Sequence, residues 1–218
     1  MAYPLYFTDG LQFSHTLGKI VCVGRNYAEH AKELNNPIPT EPILFIKPES
    51  SAVSLNSDLV IPSSDCHYET EIAILIGSSL KSANEVEVEA AIAGVGLGLD
   101  LTRRALQSKL KEKSHPWEIA KSFDGACPLT NFAKSDQFSD LTNLQFSLHV
   151  NDALKQSGNS EDMLNPIVPL IAYMSKYFTL KPGDIVLTGT PKGVGELRSG
   201  DLLKLSLMDK IKVTTQVV

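Results

Sequence analysis

The sequence predicts a β-rich α+β fold. Many short apolar runs are bounded by Gly, Pro, Ser and Asn, few stretches keep a helical period, and helices do not alternate with strands as a parallel sheet requires. The 218 residues have the length for one large or two small domains and for a sizeable core. They carry no internal repeat, low-complexity tract or clear linker. An apolar fraction of 43% with 21% charged residues is the composition of an ordinary globular protein. A net charge of −5 argues against nucleic acid or an anionic membrane as the main partner. No basic-then-apolar leader opens the chain, and no apolar run reaches the length of a membrane span. Cys22, Cys66 and Cys127 are odd in number and far apart, which fits a reducing compartment, so a cytoplasmic location is expected.

In chain order, residues 1–18 read as an irregular arm before a strand at Ile20–Val23, which Gly24 ends. Asn26 is a candidate cap for a helix running towards Leu34, on which His30 and Glu33 share a face. The proline-rich NNPIPTEP that follows reads as a loop or lid hinge. A strand at Ile43–Ile46 and extended pieces through a serine-rich segment lead to a buried strand at Ile72–Ile76. Asn84 and Glu87 form a capping-box pattern for a helix through Ala91. Thr102 is a candidate cap for a Lys/Arg-rich helix ending near His115-Pro116, and AKSFDGACPLT reads as a loop holding Lys121. A strand at Leu144–Val150 runs into an Asn151-Asp152 hairpin turn. An apolar helical stretch spans Asn165 to Phe178 with Pro166 in its first turn, and strands near Asp184–Leu187, Leu202–Leu207 and Ile211–Val217 close the chain.

The chemistry centres on Glu69 and Glu71, which open the buried strand. Residues two apart on a strand face the same way, so both carboxylates project together. A lone Glu-x-Glu more often marks a solvated strand end. Here a third isolated acid, Asp100, closes the apolar run IAGVGLGLD. Three carboxylates brought together and buried would repel one another unless a hard cation such as Mg²⁺, Mn²⁺ or Ca²⁺ joined them. Two glycine patterns lack the endings of nucleotide loops: GVGLG (94–98) and GTPKGVG (189–195) both read as tight turns, the second with backbone N–H groups suited to a small anion.

Six motifs carry a resemblance that spans nearly the whole chain: GRNYAEHAKE (24–33), FIKPES (45–50), HYETEIAILIG (67–77), LDLTRRALQ (99–107), PWEIAKSFDGACPL (116–129) and GDIVLTGTPKGVG (183–195). The sequence resembles the fumarylacetoacetate hydrolase family, in its short acylpyruvase and oxaloacetate decarboxylase branch. The resemblance implies one catalytic domain over 1–218, a mixed β-sheet roll with a few peripheral helices, and a homodimer. It implies Mg²⁺ or Mn²⁺ on Glu69, Glu71 and Asp100, and a mobile lid over about 26–40 carrying His30 and Glu33. One departure is that Ala105 stands after Arg104 where relatives usually have an acid.

On this reading the metal polarises the keto oxygen of a chelated 2-oxo acid. Lys121 neutralises charge on the substrate, Thr190 and the Gly189 turn hold its far oxygens, and Arg25 and Lys47 face the cavity. His30, oriented by Glu33, activates water for carbon–carbon cleavage of a 3-acylpyruvate such as acetylpyruvate or fumarylpyruvate. Decarboxylation of oxaloacetate draws on the same groups. The alternatives are a tautomerase of 2-oxo acids and a non-catalytic protein that binds them.

Overall fold

The computed structural model describes residues 3–34, 37–62 and 65–218. Its centre is a curled mixed sheet in which the strands run Ile43–Lys47, Ile20–Gly24, Ile185–Leu187, Thr70–Ile76, Ile92–Leu99, Cys127–Leu129 and Ala52–Ser54, with Ala133–Lys134 also on Ile92–Leu99. Ile185–Leu187 lies parallel to Ile20–Gly24 and Cys127–Leu129 parallel to Ala52–Ser54, while the other pairings are antiparallel. The strand Thr70–Ile76 is buried along its whole length because both of its faces meet a core. Ile72, Ile74 and Ile76 join Val21, Val23, Val95 and Leu97 on one side. Ala73 and Leu75 join Ile20, Cys22, Ile185 and Leu187 on the other. This alternation is why the sequence there reads as a continuous apolar run.

A second, antiparallel sheet of Ala153–Asn159, Gln145–Val150, Leu202–Leu207 and Ile211–Gln216 adds its apolar face to the larger core. The Asn151-Asp152 turn joins its first two strands with φ of 51° and 66°, as a two-residue hairpin needs. Short strands Gly195–Glu196, Cys66–Tyr68 and Thr102–Arg103 bridge towards the site. Helices lie outside the sheets, and among the described residues none is long and apolar enough to cross a membrane.

Several expectations are corrected. The N-terminal arm contains a hairpin, Pro4–Tyr6 with Gln12–Thr16. GVGLG lies inside a strand, where the missing side chains of Gly94 and Gly96 leave room for Phe132. Asn26 is not a cap: Tyr27 precedes the short helix Ala28–Glu33, and the Asn26 amide is used elsewhere. Thr102 sits in a bridging strand, and the helix Arg104–Glu112 is held at its start by Asp65, whose Oδ2 accepts from Ala105 N–H at 2.7 Å. Lys121 ends a one-turn helix, Glu118–Lys121, rather than lying in a loop. The Asn84–Glu87 capping box is present as expected.

Candidate active site

Antiparallel pairing sets Thr70 opposite Leu99, and Asp100 N–H donates to the Glu69 carbonyl at 2.8 Å. The entry of one strand thus meets the exit of the next. Glu69, Glu71 and Asp100 converge, with one carboxylate oxygen from each within 4.8 Å of the others, and all three residues are buried.

Three cations surround these acids. Lys121 Nζ donates to Glu69 Oε2 at 2.8 Å and to Asp100 Oδ2 at 2.5 Å. Arg104 Nη2 pairs with Glu69 Oε1, and its Nη1 donates to Gln107 Oε1 at 2.9 Å, so Arg104 enters the site although its neighbour is Ala105. Lys47 Nζ stands 2.8 Å from Asp100 Oδ1. It also donates to the carbonyl oxygens of Lys121 and Ala126, which leaves its third hydrogen for Asp100 Oδ1. Burial makes it costly to charge Glu69, but Lys121 and Arg104 outweigh that and hold its carboxyl well below the usual carboxylate range. Glu71 goes the other way. Burial, then Asp100 and Glu69, push it well above that range, although Gly189 N–H donates to its Oε2 at 2.7 Å. Burial disfavours the Lys121 ammonium, yet Asp100 and Glu69 more than compensate and raise its pKa. A buried cluster of three hard carboxylate oxygens within 4.8 Å of one another suits Mg²⁺ or Mn²⁺.

Above the cluster lies His30, buried, on the helix Ala28–Glu33. Its Nδ1 is 3.3 Å from Glu33 Oε2. The same carboxylate accepts from Gly193 N–H at 3.0 and 3.2 Å. The glycine-rich turn therefore binds carboxylates, as its backbone suggests, but they are the protein's own: Glu71 at Gly189 and Glu33 at Gly193. Gly193 has φ +96°, and a Cβ there would fall 2.0 Å from the Lys155 carbonyl oxygen.

His30, Glu69, Glu71, Asp100, Lys121, Arg25 and Thr190 line one cleft with Leu34, Phe45, Arg104, Gln107, Lys111 and Trp117. It holds about 40 Å³ of free space, and the helix Ala28–Glu33 carries His30 into it. Of the expected lid, residues 35 and 36 lie outside those described.

Two expected residues stand elsewhere. Lys47 is fully buried behind Asp100 rather than on the cleft wall, and Gly189 reaches the site only through its N–H on Glu71. Sequence reasoning passed over Gln107 and Lys111. With Arg104 they fall at i, i+3 and i+7 on one helix face, a spacing that does carry the signal. It also missed Asn26, whose Nδ2 donates to the carbonyls of Asn165 and Thr188 and whose Oδ1 accepts from Asn165 N–H, tying three segments beneath the cleft. Next to it Arg25 has φ of 60°, a conformation uncommon outside glycine.

A buried three-carboxylate cluster, roofed by a His–Glu pair at the seam of a mixed sheet, defines an enzyme-like site fitted to a hard cation and a proton-transfer group. The pattern named "Fumarylacetoacetate (FAA) hydrolase C-terminal" matches residues 19–218, and the chain belongs to the fumarylacetoacetate hydrolase family. It is 50% identical to an oxaloacetate tautomerase of Escherichia coli (strain K12), over 99% of this chain and 100% of that one. It is 41% identical to a mitochondrial oxaloacetate decarboxylase of Dictyostelium discoideum, over 90% and 91%. A fumarylpyruvate hydrolase from Pseudomonas aeruginosa, crystallised in complex with Mn²⁺ and pyruvate, superposes with a TM-score of 0.92 at 30% identity, covering 100% of this chain and 96% of that one.

Proposed function

We propose that this protein is a divalent-metal-dependent oxaloacetate tautomerase, with decarboxylation of the same acid as a second outcome. The observation that carries the reading is the charge of the cleft. Glu69, Glu71 and Asp100 are matched by Lys47, Lys121 and Arg104, so a divalent cation leaves an excess of two positive charges, and Arg25 and Lys111 stand on the wall beside it. Such a site favours a dianion with two carboxylates over a monoanionic acylpyruvate such as acetylpyruvate, and similarity to relatives then favours oxaloacetate over dianionic fumarylpyruvate. Relatives at 50% and 41% identity are oxaloacetate enzymes, whereas the hydrolase shares 30%. Acylpyruvate hydrolysis, the first expectation from the sequence, therefore takes second place.

Glu69, Glu71 and Asp100 would hold Mg²⁺ or Mn²⁺, which when bound supplies Lewis-acid polarisation of a keto oxygen. Lys121 Nζ meets the negative charge that gathers on that oxygen. His30, with Nδ1 committed to Glu33, moves the proton at substrate C3 through Nε2. Arg25 and Lys111 receive the distal carboxylate, and Leu34, Phe45 and Trp117 keep water from the reacting carbon. The proposal keeps the sequence's expectation of one catalytic domain in a cytoplasmic homodimer, which sedimentation of the purified protein would test for assembly.

The direct test follows the ultraviolet absorbance of enol-oxaloacetate with purified protein and Mn²⁺, alongside pyruvate release from oxaloacetate and cleavage of acetylpyruvate. The expected result is fast ketonisation, slower decarboxylation and the least activity on acetylpyruvate. Ketonisation no faster than with buffer and Mn²⁺ would sink the reading.

A further inference from the structure

We infer that Gln156 is a positioning residue whose single side-chain amide locks the metal-ligand strand and the Thr190 hydroxyl together, fixing Thr190 as a hydrogen-bond donor into the cleft. The inference rests on the proposed 2-oxo acid site. Gln156 lies on the second sheet, on the strand Ala153–Asn159, and is 1% exposed. Its register partner is Leu148, while His149 pairs with Leu154, so Lys155 is an extra residue, a bulge of the kind that re-aims side chains beside functional sites. Beyond the bulge Gln156 points inward.

There its orientation is forced. Oε1 accepts from Thr70 N–H at 2.9 Å, and Nε2 donates to the Pro191 carbonyl at 3.0 Å, so oxygen and nitrogen cannot be exchanged. The remaining hydrogen of Nε2 goes to Thr190 Oγ1 at 2.8 Å. Thr190 Oγ1 is thus an acceptor towards Gln156, and its own hydrogen is directed to an acceptor on the other side. That side is the cleft, which Thr190 lines. Thr70, held by the same amide, is the residue between the ligands Glu69 and Glu71, with the peptide N–H fixed just where the strand begins. One amide therefore sets both the spacing of two carboxylates and the polarity of a hydroxyl meant for a substrate oxygen.

The test uses oxalate, a 2-oxo acid mimic, and Mn²⁺, each titrated calorimetrically, with melting temperature checked throughout. Thr190→Val should weaken oxalate about 10–100-fold, the range for one lost hydrogen bond to a charged acceptor, while Thr190→Ser stays near wild type. Mn²⁺ affinity should hold in both. Gln156→Met should weaken both oxalate and Mn²⁺, and at saturating Mn²⁺, where the metal loss does not enter, combining it with Thr190→Val should add less than about twofold to the oxalate loss, the mark of coupled groups. Losses that multiply in the double variant, or a Thr190→Val protein that binds oxalate as wild type does, would overturn the inference. If Gln156→Met does not fold, Gln156→Glu replaces it. This variant donates only when protonated, so at saturating Mn²⁺ its oxalate affinity must fall with rising pH more than that of wild type, and an unaltered profile overturns the inference. Wild-type protein that binds no oxalate with Mn²⁺ present refutes the proposed function instead, which keeps the two failures apart.

Discussion

Replacing Glu33 by Gln tests what the acid beside His30 does for it. Glu33 Oε2 is the oxygen that faces His30 Nδ1 at 3.3 Å and also accepts from Gly193 N–H at 3.2 Å. A glutamine that keeps its carbonyl oxygen at that position retains these two contacts and loses the charge together with the 3.0 Å bond from Gly193 N–H to Oε1, where its NH2 would stand. When His30 takes up a proton the two groups become an ion pair. At 3.3 Å such a pair is worth about 1 kcal/mol in bulk water and about 5 kcal/mol at an effective dielectric of 20. The Glu33 side chain is 32% exposed, so the lower end applies. A loss of about 1–2 kcal/mol corresponds to ketonisation slowed by about 5–30-fold. His30→Ala, which removes the proton-transfer group itself, should cost about 10²–10⁴-fold. The assay is the initial rate of enol-oxaloacetate decay at saturating Mn²⁺, paired with oxalate affinity. The expected pattern for Glu33→Gln is a lower kcat with oxalate affinity held. Oxalate affinity that falls as far as the rate would mean that Glu33 only latches the lid. Full activity in His30→Ala would remove His30 as the proton-transfer group and undo the argument for Glu33 with it.

Four further outcomes follow from the geometry. Glu71, held protonated well above the usual carboxylate range, must release its proton when Mn²⁺ binds, so Kd should tighten by about tenfold per pH unit until that proton is lost; calorimetry in buffers of different ionisation enthalpy that finds no proton released would contradict this, as would an unchanged slope in Glu71→Gln. In the metal-free protein the folded state binds the Glu71 proton more tightly than the unfolded chain does, so that contribution to stability falls as pH rises above the usual carboxylate range; Glu69, held low, contributes the reverse and loses stability as pH falls through its depressed value, and urea melts with EDTA across pH read the balance. Gly193→Ala places a Cβ against the Lys155 carbonyl at positive φ, which should destabilise by about 1–3 kcal/mol and raise hydrogen exchange over residues 28–34 but not over Thr70–Ile76; equal protection in the variant and wild type would show that the Gly193–Glu33 contact does not hold the helix. Glu69→Ala should abolish Mn²⁺ binding, and retention of wild-type affinity would remove Glu69 from the ligand set.

What the sequence discloses about this site follows a physical divide. Glu69 and Glu71 are legible because strand alternation alone puts them on one face, and Asp100 because an unbroken apolar run ends on it. The register that brings them together, Thr70 opposite Leu99, is a property of the pairing and of neither strand. Asn26 misleads for the same reason: its local pattern fits a helix cap, while its real partners lie at Asn165 and Thr188. Gln156 gives no local signal at all, since its inward aim depends on a bulge defined only against the neighbouring strand. Lys47 is predicted on the cleft wall, but on a strand at the sheet's edge its ammonium runs inward to the back of Asp100.

The glycine-rich turn joins the legible and the hidden parts of the site. Its composition predicts backbone amides able to hold an anion, and nothing local says which. In the structure Gly189 N–H holds Glu71 and Gly193 N–H holds Glu33. One carboxylate belongs to the three-acid cluster and the other to the helix Ala28–Glu33. Thr190, between the two glycines, faces the cleft and accepts from Gln156. A displacement of this turn therefore moves Glu71, the Thr190 hydroxyl and the acid behind His30 together. The backbone from Gly189 to Gly193 thus ties the Glu71 carboxylate to the helix that carries His30.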